Sequence, residues 1–207
     1  MKFHRRASGT PHRVAVFPGS FNPPTVAHLA LADKAAQLVD EVIFVLPEVF
    51  PHKDFSGVGF DDRLGLLLKV TNGRHFTSHF TVASTQGGLF IDMARELRPH
   101  YADAKLHFLC GRDAAERIVG WDYGDGDYGE PGMLERMFAE FSLLVAARNG
   151  HYEPPAIYAG SIAHLPLERD FGDFSATQVR NLAARNGDLR DLIPAEIVSD
   201  VARLYRA

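Results

Sequence analysis

A chain of 207 residues, 46% hydrophobic and 23% charged, is long enough to bury one sizeable core. A net charge of −4, with no lysine/arginine stripe carrying interleaved aromatics, argues against a nucleic-acid polymer as partner. The single cysteine, Cys110, excludes an internal disulfide and any CxxC redox or zinc pattern, which suits a reducing, cytoplasmic compartment, and no run of about 18 apolar residues points to a membrane.

The basic opening stretch 1–13 lacks the apolar core of a secretory signal and reads as a flexible tail, leaving 14–207 as one domain. From Arg13 onward, short β-branched and aromatic runs alternate with longer segments of helical spacing. Strands are expected at 14–17, 41–46, 80–83, 106–110 and 141–146, with a short addition at 162–165. Helices are expected at 25–39, 61–71, 90–97 and 114–119, with two more after Phe174. In the first of these, Leu31, Ala35 and Leu38 recur at i, i+4, i+7. The pattern predicts an α/β fold: a doubly wound, Rossmann-like parallel sheet with helices on both faces. The tract 122–132, DYGDGDYGEPG, is a loop, either a solvated surface insertion or a lid.

The stretch 17–31, FPGSFNPPTVAHLAL, takes a strand through a glycine turn into a helix. Gly19 allows close backbone approach, Pro23 and Pro24 delay the helix start, and the N–H groups and dipole of that start favour an anion. Thr25 and His28, three apart, share one side of the first turn, so a hydroxyl and an imidazole reach one point; a half-buried structural histidine is the alternative.

These residues resemble the (H/T)xGH signature of the nucleotidylyltransferase superfamily, with Thr25 and His28 at its named positions and Ala27 in place of its glycine. The resemblance implies that Gly19, Ser20, Phe21, Thr25 and His28 bind ATP and that His28 and Thr25 stabilise charge on its phosphates. A second tract, 173–180 (DFSATQVR), resembles the family's serine/threonine turn followed by arginine, which implies ATP phosphate binding by Ser175, Thr177 and Arg180, with Ala176 replacing a hydroxyl residue. Ser175 and Gln178 also have the spacing of a plain capping box. A third, 109–121 (LCGRDAAERIVGW), resembles the family's Gly-x-Asp tract: Gly111 leaves room for the nucleoside and Asp113 accepts from ribose hydroxyls, unless it merely caps a helix. Loops after the first and fourth expected strands would flank the crevice where strand order reverses.

The tract 45–63 resembles the proline-histidine-lysine segment of nicotinate-nucleotide adenylyltransferases, with a downstream arginine opening the next helix. By that resemblance His52, Lys53 and Asn22 meet the mononucleotide and Trp121 stacks on its pyridine ring, although a lone tryptophan is commonly core. The family's Ser-Tyr-Thr tract, which helps to read the nicotinate carboxylate, is replaced by Gly88, Leu89 and Phe90 before Asp92, leaving nicotinamide mononucleotide or another phosphate ester open as acceptor.

The resemblance implies AMP transfer from MgATP to nicotinic acid mononucleotide, releasing pyrophosphate, with His28, Thr25, Lys53 and Arg180 neutralising charge. Mg²⁺ arrives on the triphosphate rather than in a protein-built metal site. Homo-oligomerisation stays open. Two rivals remain: cytidylyl transfer onto a phosphorylated alcohol, and a nucleotide-binding regulator without turnover. Neither GxGxxG nor GxxxxGK[ST] follows an expected strand, which excludes classical dehydrogenases and P-loop ATPases.

Overall fold

The computed structural model describes residues 1–48, 57–72, 79–121, 132–146, 152–169, 171 and 174–206. They form one seven-stranded sheet: β1 (Lys2–Arg5), β2 (Arg13–Pro18), β3 (Glu41–Pro47), β4 (Phe80–Thr85), β5 (Lys105–Gly111), β6 (Phe141–Ala146) and β7 (Ile162–Leu165). The spatial order is β1-β4-β3-β2-β5-β6-β7. Every pairing from β4 through to β7 is parallel, and β1 joins β4 antiparallel. The winding reverses between β2 and β5, so the loops after these strands open onto the crevice anticipated from the sequence.

Strand alternation sorts side chains onto two faces. Val14 and Val16 of β2, with Ile43 and Val45 of β3, pack with α3 (Phe90–Leu97), α4 (Arg112–Gly120) and α5 (Met133–Glu140). Ala15 and Phe17, with Val42, Phe44 and Leu46, pack with α1 (Val26–Ala35), α2 (Phe60–Asn72), α6 (Ala176–Ala184) and α7 (Val198–Leu204). Covering both faces is why β3, EVIFVLP, is buried throughout rather than alternating with polar residues.

Four expectations change. The opening stretch is not simply a flexible tail, because Lys2–Arg5 pairs antiparallel with β4, with a register shift between Phe3 and Arg5, and the Ala7 N–H donates to Thr81 Oγ1 at 2.8 Å. The first helix ends at Ala35 rather than 39, closing in tight turns in which the Gln37 and Leu38 N–H groups reach Lys34 and Ala35. Leu38 is therefore exposed, while Leu31 and Ala35 enter the core as the spacing requires. Helix α5, absent from the sequence expectation, follows a left-handed Gly132 and buries Met133, Leu134 and Met137.

Candidate active site

The turn after β2 is shaped by an aromatic residue. Phe21 has a positive φ of 42° and a wholly buried ring, packed edge-on against Phe17, Phe44 and His28 at centroid distances of 5.4, 5.6 and 5.3 Å. A Cβ on Gly19 would lie 2.9 Å from that ring, so the glycine is required first by Phe21. The Gly19 N–H donates to the Val45 carbonyl at 3.1 Å. What Phe21 can offer a ligand is backbone, since its ring is committed to the core.

Thr25 caps α1 and its Oγ1 accepts from the His28 N–H, while His28 Nδ1 accepts from the Thr25 N–H at 3.0 Å and lies 2.9 Å from Thr25 Oγ1. The two side chains thus hold each other. Because Nδ1 accepts a backbone N–H, the neutral ring carries its proton on Nε2, a donor suited to an oxyanion. The same geometry corrects the expectation that first-turn N–H groups await a phosphate. Those of Thr25 and His28 serve the capping box, and that of Val26 donates to the Leu192 carbonyl at 3.0 Å. The His28 side chain and the helix dipole remain features that suit an anion.

Three elements distant in sequence converge on the Ser20–Asn22 turn. Arg180 of α6 donates from Nη1 to the Asn22 carbonyl at 2.8 Å and from Nη2 to Thr177 Oγ1 at 3.0 Å, joining the second motif to the first. Arg63 of α2, only 2% exposed, donates to the Ser20 carbonyl at 3.0 Å, and burial lowers its pKa from the ordinary arginine value. Tyr205, just past α7, donates to Asn22 Oδ1 at 2.5 Å, and burial raises its phenol pKa. Asn22 is 3% exposed, and a Cβ on Gly57 would approach its amide nitrogen to 2.3 Å. The Asn22 side chain is accordingly a strut of the turn, which narrows its expected contact with the mononucleotide.

Across the reversal point, Gly111 itself caps α4 and Asp113 stands exposed in the first turn, so Asp113 is not the cap. Asp113, Glu116, Arg117, Gly120 and Trp121 line an open depression of about 450 Å³. Trp121 is 60% exposed and thus available as a stacking surface rather than core. Ser175 does cap α6, accepting from the Gln178 N–H at 3.1 Å, and Thr177 stays exposed beside Arg180. His52, Lys53 and Asp173 lie outside the described residues. Phe90, in the tract that replaces the family's hydroxyl residues, stacks on Phe108 at 4.6 Å and completes the core. Tyr205 was missed by sequence reasoning because a tyrosine after an apolar helix carries no signal of its partner 183 residues away.

Comparison with known proteins agrees with the fold. A family model described as cytidylyltransferase-like matches residues 16–182. A probable nicotinate-nucleotide adenylyltransferase of Geobacter sp. (strain M21) is 29% identical, covering 93% of this chain and 98% of its own. Another, of Gemmatimonas aurantiaca, is 26% identical, covering 94% and 92%. The solved nicotinic acid mononucleotide adenylyltransferase of Plasmodium falciparum, complexed with NaAD, shares the fold with a TM-score of 0.70 at 19% identity, covering 93% of this chain and 97% of that one.

Proposed function

The chain belongs to the cytidylyltransferase-like family, and from that premise we propose that it is an adenylyltransferase transferring AMP from MgATP to nicotinic acid mononucleotide, forming the dinucleotide and pyrophosphate in NAD biosynthesis. The observation that carries the reading is the convergence of the two signatures, with Arg180 of the second bonded to the turn that leads into Thr25 and His28 of the first. The curated relatives named for this reaction extend over nearly the whole chain and supply the acceptor.

A phosphate oxygen of the mononucleotide attacks the α-phosphorus of ATP in line; the new P–O bond forms as the bond to the β-phosphate bridging oxygen breaks, and pyrophosphate leaves. No covalent enzyme intermediate is needed, because phosphate is already a competent nucleophile. Catalysis is alignment and charge neutralisation. His28 Nε2–H donates to a phosphate oxygen, while Arg180, with Thr177 beside it and Ser175 at the cap of the same helix, meets the β- and γ-phosphates. Lys53 and His52 take the acceptor phosphate. Asp113 accepts from the ATP ribose and Trp121 stacks on the pyridine ring. Gly19, Ser20, Phe21 and Gly111 contribute backbone and space. Mg²⁺ enters as part of the substrate, held by phosphate oxygens and water.

The test is product identification: purified protein is incubated with MgATP and nicotinic acid mononucleotide, and the nucleotides are analysed by mass. The dinucleotide and pyrophosphate in equal amounts are expected. Unchanged ATP and mononucleotide would refute the reading, and product only from MgCTP and a phosphorylated alcohol would replace it with cytidylyl transfer.

A further inference from the structure

Strand β1 precedes the stretch matched by the family model, yet it pairs with β4 and, through Ser84 near the carboxyl end of that strand, is linked to Glu48 just past β3. His4 Nε2 lies 3.0 Å from Ser84 Oγ, and Ser84 donates its one hydroxyl proton to Glu48 Oε1 at 2.9 Å. With that proton spent, Ser84 accepts from His4, so the chain runs in one direction: His4 N–H to Ser84, Ser84 O–H to Glu48. Glu48 is also tied through its backbone, its N–H donating to the Thr85 carbonyl at 2.8 Å. Thr85 Oγ1 in turn accepts from the Gly87 N–H at 3.1 Å and donates to Glu96 of α3 at 2.7 Å. The ring of His4 also sits 6.2 Å from that of Phe60, the first residue of α2.

This network joins the start of the β3–α2 connection to the turn between β4 and α3. Ligands of doubly wound sheets bind beyond the carboxyl ends of the strands. The ATP residues proposed above follow β2 and β5 or lie at the cap and in the first turns of α6. The connections after β3 and β4 are the remaining ones on the β2-β3-β4 wing, and Glu48 stands five residues before Lys53 in the sequence. In the β4–α3 turn, Gly88 and Leu89 supply no hydroxyl, and the Phe90 ring is turned into the core. A ligand at that turn would meet backbone groups and the exposed Gln86, whose placement depends on how firmly the turn is held.

Resting on the acceptor reading proposed above, we infer that β1 is a positioning element for the mononucleotide side of the site, with His4 holding Ser84 and Glu48 and, through them, the carboxyl ends of β4 and β3. The strand acts on acceptor affinity and not on ATP. His4 does not touch substrate.

The test is steady-state kinetics of the full chain with His4→Ala, His4→Gln, Ser84→Ala and the double variant His4→Ala/Ser84→Ala, together with their melting temperatures. For one lost hydrogen bond, His4→Ala should raise KM for the mononucleotide about five- to tenfold, with kcat and KM for ATP held within about twofold. Glutamine can donate from its amide to Ser84 and should restore the acceptor KM, and the double variant should be no worse than either single one. Should His4→Ala fail to fold, Ser84→Ala reads the same link from the other side. An unchanged acceptor KM, or KM values for both substrates rising together with a fall in melting temperature, would overturn the inference while leaving the adenylyltransferase reading intact. A wild-type protein silent with every pyridine mononucleotide would overturn that reading and this inference with it.

Discussion

Replacing Tyr205 by phenylalanine removes one oxygen and nothing else. The hydroxyl donates to Asn22 Oδ1, and both residues are buried. Losing one buried hydrogen bond costs about 0.5–1.5 kcal/mol. For a chain of this size that lowers the melting temperature by roughly 1–6 °C. Asn22 also presents its carbonyl to Arg180, so loosening its side chain loosens the junction of the two signatures and should lower turnover as well. Thermal and urea denaturation of the two proteins measure the first effect, and pyrophosphate release the second. Tyr158→Phe is the control: that hydroxyl bonds Glu135 at the surface at 3.2 Å, and its loss should barely move the transition. A Tyr205→Phe protein as stable as the wild type would refute the view of Asn22 as a buried strut.

Further outcomes follow from the same geometry. Gly57→Ala forces a side chain onto a backbone with φ +133° and into the Asn22 amide, so a lower denaturation midpoint is expected, and wild-type stability would contradict the described packing. Trp121, the only tryptophan, should show solvent-exposed fluorescence that shifts on adding the mononucleotide; an unmoved spectrum at saturating acceptor would remove its stacking role. The thiol of buried Cys110 is pushed up to about 12 by burial, so it should resist thiol reagents in the native protein and react on unfolding, and rapid native labelling would contradict its place in β5.

The parallel strands were legible because burial on both faces writes continuous apolar runs such as EVIFVLP, and α1 was visible in its apolar spacing after the prolines that delay its start. Strand β1 was hidden because KFHR is short, basic and half-buried, and only its pairing with β4 makes it a strand. Helix α5 was hidden by the acidic, glycine-rich tract before it, which obscured where the chain resumes a helical period. Of the candidate residues, Thr25 and His28 were legible as a pair because their spacing places both in one helical turn, and Ser175, Thr177 and Arg180 were legible by resemblance to a family motif, of which Thr177 and Arg180 bond at i, i+3. The distant partners were not visible. Arg63 on Ser20 and Tyr205 on Asn22 are set by how helices pack around a sheet, which no local pattern encodes. The exposure of Trp121 likewise follows from the end of α4 and not from its residue type.

The central claim, that this site adenylylates a pyridine mononucleotide through His28, is tested most directly by pyrophosphate release from wild type and His28→Ala with MgATP and nicotinic acid mononucleotide. Wild type should turn over with ATP in preference to CTP, and loss of one donor to the transition state should lower kcat by about 10²–10³ in the variant. Equal kcat in the two proteins, with the capping box of α1 broken in one of them, would contradict the account.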